Sequence, residues 1–367
     1  EVSEDESGRA SAVGAVHRTI KNAREGPSMT RVGVVGAGPA GAGAAYALRE
    51  SSAEVTVLEK SRGVCGRAAT RRRGDCRYDH GANYVKEDER TEQLLRDLGE
   101  DGLETVDGPV WTFDRDGEVT PGDRQETKYT WRAGITQLAK RLFDRSNAEV
   151  RRETRIEDLV RDGGWALRDA RGERHGPFDR VLLTPPAPQT AALLDGADWE
   201  GEARVALQAA AEAVPYRTIR TIVCHYPFPV DLPWYALVNV DREHEIGWLS
   251  REECKPGHVP AGESLFVVQM APDWSREHYD DDLDQVAPAV TDAVADLVGD
   301  DRLRDPDWVD DQGWRYALPD AAADAEACSR GEPAGLYVAG DWVAGEGRVH
   351  RALWNGVEVG ERIAASL

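Results

Sequence analysis

Residues Gly36-Ala37-Gly38-Pro39-Ala40-Gly41 space three glycines as GxGxxG between an apolar run, Arg31 to Val35, and a run of small residues, Pro39 to Glu50. The first run reads as a buried strand, the second as a helix, and Glu54 to Leu58 as a second strand, so the chain opens with a βαβ unit. Gly36 permits a tight turn, Gly38 lets the backbone approach a pyrophosphate, and Gly41 lets helix pack closely on strand. Pro39 and Ala40 begin the helix, whose free N–H groups favour an anion. Glu59 follows the second strand, 18 residues beyond Gly41. A carboxylate there accepts both ribose hydroxyls of a dinucleotide and repels a 2′-phosphate. The flanking strands and Glu59 together favour dinucleotide binding over a glycine turn without a ligand.

Two further segments carry related chemistry. Lys60-Ser61-Arg62-Gly63-Val64-Cys65-Gly66-Arg67 begins just past Glu59, and Gly66 with Arg67 offers backbone donors and a guanidinium to the same pyrophosphate. A solvated basic loop is the plain alternative. Asp79-His80-Gly81-Ala82-Asn83-Tyr84 gathers polar groups around a permissive glycine. Far downstream, Gly335 to Trp342 reads as a strand ending in Gly340-Asp341, and Arg348 to Ser366 as a helix with a continuous apolar face. The start of that helix, at Gly347, Arg348 and Val349, carries partial positive charge.

The stretch from Val32 to Tyr84 resembles the FAD-binding start of the renalase family, a branch of the flavin amine-oxidase superfamily. Lys60-Ser61-Arg62-Gly63, Gly66-Arg67 and Asp79-His80-Gly81-Ala82 carry the likeness. Gly340-Asp341-Trp342 with Gly347-Arg348-Val349 resembles that family's third flavin motif, and Arg180 to Gln189, Ala271 to His278 and Trp314 to Pro319 match outside the flavin motifs. Cys65 stands where a glycine is usual and narrows the loop's backbone freedom. Asn83 stands where glutamine is commoner, and His350 is unexpected in its motif.

The resemblance implies an α/β protein in which a Rossmann-type FAD-binding domain is interwoven with an α+β substrate (cap) domain, as in amine oxidases and hydroxybenzoate hydroxylase. It implies non-covalent FAD, gripped by the glycine turn, by Glu59 and Lys60, and by Gly66 and Arg67. His80, Gly81, Ala82 and Asn83 would lie near the flavin, with Gly340, Asp341, Arg348 and Val349 on its other side. Asp341 would accept a hydrogen bond from the ribityl chain, and the helix start would stabilise charge at flavin N1 and the C2 carbonyl.

A chain of 367 residues should form about two domains. The expected FAD-binding domain comprises residues 29–85, 133–190 and 312–367, the substrate domain residues 86–132 and 191–311. Residues 1–28 are expected to be a disordered extension or an over-long start, with Met29 the true beginning. A hairpin is read around Trp111 to Glu118 and a helix from Ala133 to Phe143, and residues 148–179 read as an antiparallel set. With 67 acidic against 45 basic residues, only six of them lysine, the net charge of −22 disfavours nucleic acid and anionic lipid as partners and fits a halophilic source. Five scattered cysteines argue against a disulfide framework or structural metal. No apolar run or signal segment points away from the cytoplasm. Oligomeric state is not legible.

In the substrate half, Trp234, Tyr235, Trp248 and Trp314 are candidates to line a flat slot for a pyridine ring, with core packing as the competing role. His80, Asn83, Trp314 and Arg315 are the catalytic candidates. His80 is an acid or base, or more simply a hydrogen-bonding support. Asn83 supplies an amide against the flavin ring, and Arg315 alternatively makes an ion pair at the domain interface. The reaction implied is oxidation of a small reduced pyridine, an isomeric dihydro-NAD(P)H, with dioxygen as acceptor. An amine oxidase would instead take an amine and often needs a lysine near flavin N5, for which Lys128 and Lys255 are the candidates in the substrate half. A binding protein without redox activity is the alternative of another class.

Overall fold

The computed structural model describes residues 29–86, 88–122 and 126–367. The expectation for residues 1–28 lies outside the described residues. The strand Arg31–Val35 is apolar on both faces and becomes the middle of a five-stranded sheet. Across that sheet run Glu149–Arg151, Glu54–Leu58, Arg31–Val35, Arg180–Leu183 and Leu336–Val338, and every neighbouring pair is parallel. The register sets Val35 beside Leu58 and Leu183, and Leu183 beside Val338. The carboxyl ends of four strands therefore lie in one row, and the residues that follow them, Gly36, Glu59, Thr184 and the Ala339-Gly340-Asp341 turn, share one edge. Chain order reverses at Arg31–Val35, which makes this edge the crevice where an open α/β sheet takes its ligand.

The opening helix is regular over Pro39–Ala47 and tightens to a 3-10 turn at Leu48–Glu50. It packs on the C-terminal helix Val349–Ala365 with backbone against backbone. A Cβ on Gly356 would overlap the Ala40 carbonyl, and one on Gly360 would come 2.8 Å from the Ala44 carbonyl. The apolar face read in the sequence is thus a seam between the two ends of the chain.

A seven-stranded mixed sheet builds the facing layer, in the order Trp308–Pro319, Tyr216–Tyr226, Ser264–Met270, Ile246–Arg251, Ala236–Asn239, Val110–Phe113 and Val119–Thr120. The helix Leu283–Val298 covers it through Val286, Val290 and Val294. The hairpin expected near Trp111 forms, because Asp114 accepts the N–H groups of Asp116 and Glu118 in its turn.

Three expectations need correction. Residues 148–179 are not one antiparallel set: Glu149–Arg151 extends the parallel sheet, and only Ile156–Phe178 forms a three-stranded antiparallel sheet. A three-residue strand has no periodicity to announce its partner. The helix expected from Ala133 begins at Gln137, since Gly134 has φ +92° and the Ile135 N–H goes to Asp79. The division of the chain also differs from that expected. The strand Trp308–Pro319 runs unbroken past residue 312 in the seven-stranded sheet, and the helices Ala187–Asp195 and Glu202–Glu212 pack through Ala191, Leu194 and Leu207 on the parallel sheet. Among the described residues no helix is long and apolar enough to cross a membrane.

The helix seam is directly testable. Gly356→Ala should destabilise the protein by about 1–3 kcal/mol, since the overlap meets backbone that cannot rotate away. Gly196→Ala, at an exposed position with φ −79° and only ordinary contacts, should be neutral or stabilise by about 0.4–1 kcal/mol. Urea unfolding of the two variants measures the difference.

Candidate active site

One cavity of about 2350 Å³ runs along the carboxyl edge of the parallel sheet and under the seven-stranded sheet. An ordinary small-molecule pocket holds roughly 300–1,000 Å³, so there is room here for a large ligand and a second molecule. All of the candidate cofactor residues line it except Gly41, whose Cβ position is filled by the Gly36 carbonyl, as expected of the packing glycine.

At one end lies the glycine turn. Gly36 has φ +101°, and a Cβ there would sit 2.5 Å from Thr184 Oγ1, which donates to the Val35 carbonyl at 2.8 Å. Gly38 is different: a Cβ would meet nothing within 4 Å and would project into the cavity. Across from it Gly66, at φ +54°, brings its own Cβ position to 3.4 Å from Gly38 Cα. Two backbones therefore border one open space, and the helix start beyond Gly38 has no side-chain cap to consume its free N–H groups. Glu59 is buried beside it and accepts the Ala37 and Ser61 N–H groups, each at 2.7 Å. Those bonds aim the carboxylate and leave lone pairs for ribose hydroxyls. Lys60 stands next to it, reaches Gln189 at 3.4 Å, and is pushed below the usual lysine range, chiefly by burial and then by Arg155.

Cys65 takes φ +80°, the conformation that the usual glycine would adopt freely. The chain holds it there through Cys65 N–H to the Ala37 carbonyl at 2.8 Å, and burial pushes its thiol up to about 12. It is a buried filler, and no cysteine lines the cavity among the described residues.

Midway along, Asp341 is buried and takes a bidentate pair from Arg67, both bonds at 2.8 Å. Arg67 also donates to the Ala317 carbonyl at 2.9 Å. Its guanidinium is thus spent on joining Asp341 to the strand Trp308–Pro319, and the expectation that it reaches a pyrophosphate is corrected to that extent. Gly66, not the Arg67 side chain, borders the open space beside Gly38. The Gly340 N–H is held by Asn355 at 2.9 Å. The helix start at Arg348 and Val349 borders the cavity without a side-chain cap, and the Arg348 side chain turns out toward Glu346. His350 is buried there, and burial chiefly lowers its pKa.

The far wall is the turn Asp79 to Asn83. It is pinned from several sides: Ala82 N–H to the Arg67 carbonyl at 2.9 Å, Gln269 to the Gly81 carbonyl at 2.6 Å, and Trp314 Nε1 to the His80 carbonyl at 3.0 Å. His80 stacks on Trp314 with ring centroids 5.3 Å apart, and burial, aided by Arg71, pushes its pKa down to about 4. The imidazole is neutral at pH 7, and its buried Nδ1 has no hydrogen-bond partner.

Two catalytic expectations are corrected by this geometry. Asn83 is saturated: Nδ2 donates to the carbonyls of Gly81 at 2.8 Å and Asp79 at 3.4 Å, and Oδ1 accepts from Trp248 at 2.8 Å and Ser250 at 2.7 Å. It clamps the turn to the seven-stranded sheet and has nothing left for a flavin. Arg315 is exposed at the mouth, over the Tyr279 ring at 4.3 Å and 3.8 Å from Asp280, beyond the reach of the buried wall. Of the four proposed slot aromatics, Trp248 and Trp314 line the cavity, whereas Trp234 and Tyr235 are buried behind it. Lys128 donates to the Glu126 carbonyl and Lys255 is sealed between two carboxylates, so neither enters the cavity.

Sequence reasoning missed Thr184, Asn355 and Gln269, which hold three different loops through backbone atoms. It also missed the buried charges Glu252 and His258. Their one signal was ionisable residues crowded into an otherwise apolar, strand-rich stretch.

Residues 101–364 match the family of flavin containing amine oxidoreductases, and residues 34–98 match the NAD(P)-binding Rossmann-like domain. Among solved structures, the fold is shared with reduced UDP-galactopyranose mutase (11% identity, TM-score 0.73, covering 92% of this chain and 94% of that one). It is shared as well with a triple mutant from a redesign of cofactor binding in putrescine oxidase (12%, 0.70, 92% and 99%). Cyclohexylamine oxidase from Brevibacterium oxydans IH-35A is similar to the same degree (14%, 0.68, 92% and 99%). At such identities these structures speak for the fold alone. The family match runs through both the helix start at one side of the cavity and the sheet that faces it, so the chain belongs to the flavin containing amine oxidoreductase family: it is an oxidoreductase, and its cofactor is FAD.

Proposed function

We propose that the protein oxidises a dihydropyridine, an isomeric dihydro form of NAD(P)H, and that the electrons pass to dioxygen, giving hydrogen peroxide. In this reading Gly36, Gly38 and Gly66 border the pyrophosphate of FAD, Glu59 takes the adenosine ribose, and Asp341 takes the ribityl chain. Ala82 and the His80–Gly81 turn support the ring, and the uncapped helix start at Val349 faces its N1 and C2 edge. When bound, FAD supplies the hydride acceptor and the route to dioxygen. The protein's own contribution is orientation and exclusion of water. Trp248 and Trp314 offer flat apolar faces for a planar donor, and neutral His80 adds no charge beneath it.

The observation that carries the choice of donor is where the lysines point. An amine donor with a lysine near N5 needs one at the aromatic wall. Among the described residues Lys255 and Lys128 face elsewhere, Lys140 is exposed on the helix Gln137–Asp144, Lys86 lines the cavity but is held by Glu126 at 2.8 Å, and Lys60 stands beside Glu59 at the ribose end. Oxidation of an amine is the second reading, favoured by the family itself and by neighbours named putrescine oxidase and cyclohexylamine oxidase.

The purified protein should be yellow, and Gly38→Val should weaken FAD binding by about a hundredfold or more. Its Tm without cofactor should not change, because the added atoms enter empty space. Titration of apoprotein with FAD and a thermal melt measure the two effects; equal affinity would place the phosphate elsewhere. Anaerobic stopped-flow mixing separates the donors: isomerised NADH should bleach the flavin band and a panel of amines should not, while the reverse result selects the amine reading. Trp248→Leu should raise the donor KM about tenfold and leave FAD bound, as measured by steady-state kinetics.

A further inference from the structure

Behind the His80–Gly81 turn, and lining no part of the cavity, four ionisable side chains with no exposure meet: Asp79, Glu252, Lys255 and His258. Buried charges persist only when they are paired and hydrogen-bonded. Lys255 Nζ lies 3.0 Å from Asp79 Oδ2 and 2.7 Å from Glu252 Oε1, so one ammonium faces two carboxylates. Asp79 also accepts from Thr70 at 2.7 Å, Thr130 at 3.3 Å and the Ile135 N–H at 3.1 Å. Burial alone would push its carboxyl up; Lys255 and His258 outweigh that and hold it below the ordinary range.

The geometry decides the state of His258. Its Nδ1 is 2.8 Å from Glu252 Oε2 and its Nε2 is 2.9 Å from the Trp131 carbonyl oxygen. A carbonyl only accepts. Glu252 Oε2 already accepts the Asp79 N–H at 3.1 Å and Oε1 faces Lys255, which leaves that carboxyl ionised. Both ring nitrogens must therefore donate, and only the imidazolium carries two N–H groups. With it, two negative and two positive charges cancel; without it, a net negative charge stays buried next to the cavity wall. The other groups facing the cluster do not restore the balance. Tyr235 is buried and its hydroxyl is pushed well above the ordinary range by burial and then by Glu252, Cys254 is pushed up to about 11 by burial, and His80 is neutral. Arg77 gives its N–H to the His258 carbonyl at 2.7 Å, and its guanidinium turns to the Gly257 carbonyl at 3.2 Å.

We propose that His258 is a positioning residue: as a buried imidazolium it balances Asp79 and Glu252, fixes the Asp79–Asn83 turn against the cavity, and makes FAD affinity depend on a proton outside the site. This rests on the FAD-binding role of the cavity and not on the identity of the donor. The pH dependence has a definite sign. Burial lowers the His258 pKa, but the Glu252 hydrogen bond and the Asp79 charge raise it further, so the folded value lies above the ordinary one. The stabilisation is then complete below the unfolded pKa of about 6.5 and is lost as pH rises through the folded value.

Nitrogen-15 NMR of histidine-labelled holoprotein at pH 7, assigned by the signals missing in His258→Gln, tests the protonation directly. Two protonated ring nitrogens are expected at His258; one bare nitrogen overturns the proposal, whatever the protein oxidises. Charge balance is tested by FAD titration of apoprotein. His258→Gln leaves a net negative charge and should weaken FAD about tenfold, with a Tm lower by about 5 °C. Adding Glu252→Gln restores neutrality and should recover most of both losses. No recovery in the double variant refutes the charge-balance account. If the single variant fails to fold, the double variant, which also lacks His258, supplies the NMR assignment, and the alkaline loss of FAD affinity in the wild-type protein still decides. Wild-type protein that binds no FAD at any pH would instead count against the cavity's role.

Discussion

Two helices more than three hundred residues apart in sequence touch backbone to backbone, and the cavity exists because they do. Pro39–Ala47 and Val349–Ala365 approach so closely that Gly43, Gly356 and Gly360 have no room for a Cβ: at Gly43 it would sit 2.5 Å from the Leu353 carbonyl. That contact brings the last strand, Leu336–Val338, into the same parallel sheet as the first and sets Gly340-Asp341 level with Gly36 and Glu59. Side chains alone would hold the helices at roughly 8–10 Å. The glycines exchange apolar side-chain contact for proximity, and two uncapped helix starts thereby open on one space.

Opposite that seam, the turn Asp79 to Asn83 does the joining work between the layers. It receives bonds from Gln269, Ser250 and Trp248 of the seven-stranded sheet on one side and gives Ala82 N–H to Arg67 on the other. Nearly every polar group in it has a structural partner, which is why the expected chemistry of Asn83 disappears. What the turn presents to the cavity is backbone and a neutral imidazole. A wall of that kind orients a ligand and leaves reactivity to the cofactor.

The parts legible in the sequence were those whose signal is local. The glycine turn with its two strands and Glu59 could be read because one βαβ unit carries the whole pattern within about thirty residues. The departure at Cys65 was legible too, since the positive φ follows from the glycine it replaces. Arg67 and Asp341 were each picked out, but not as partners, because 274 positions separate them. Arg315 looked promising beside Trp314 and proved to stand exposed at the cavity mouth, against Tyr279 and Asp280, because its partners lie outside its own strand. Lys255 was considered for the cavity and lies behind it, since a periodicity of two does not say which side of a bent segment is solvent.

By itself the sequence determined that a Rossmann-like sheet would form and which glycines would border the open space at its carboxyl edge, because backbone freedom and spacing are properties of neighbouring residues. It also determined the acidic, lysine-poor character of the chain. Only the tertiary structure decided which of the polar side chains are spent in holding the layers together, which aromatics reach the cavity, and that four charges are sealed behind its wall. Those outcomes depend on pairings across hundreds of residues, where a few tenths of an ångström and the loss of water decide whether a group is a ligand or a support.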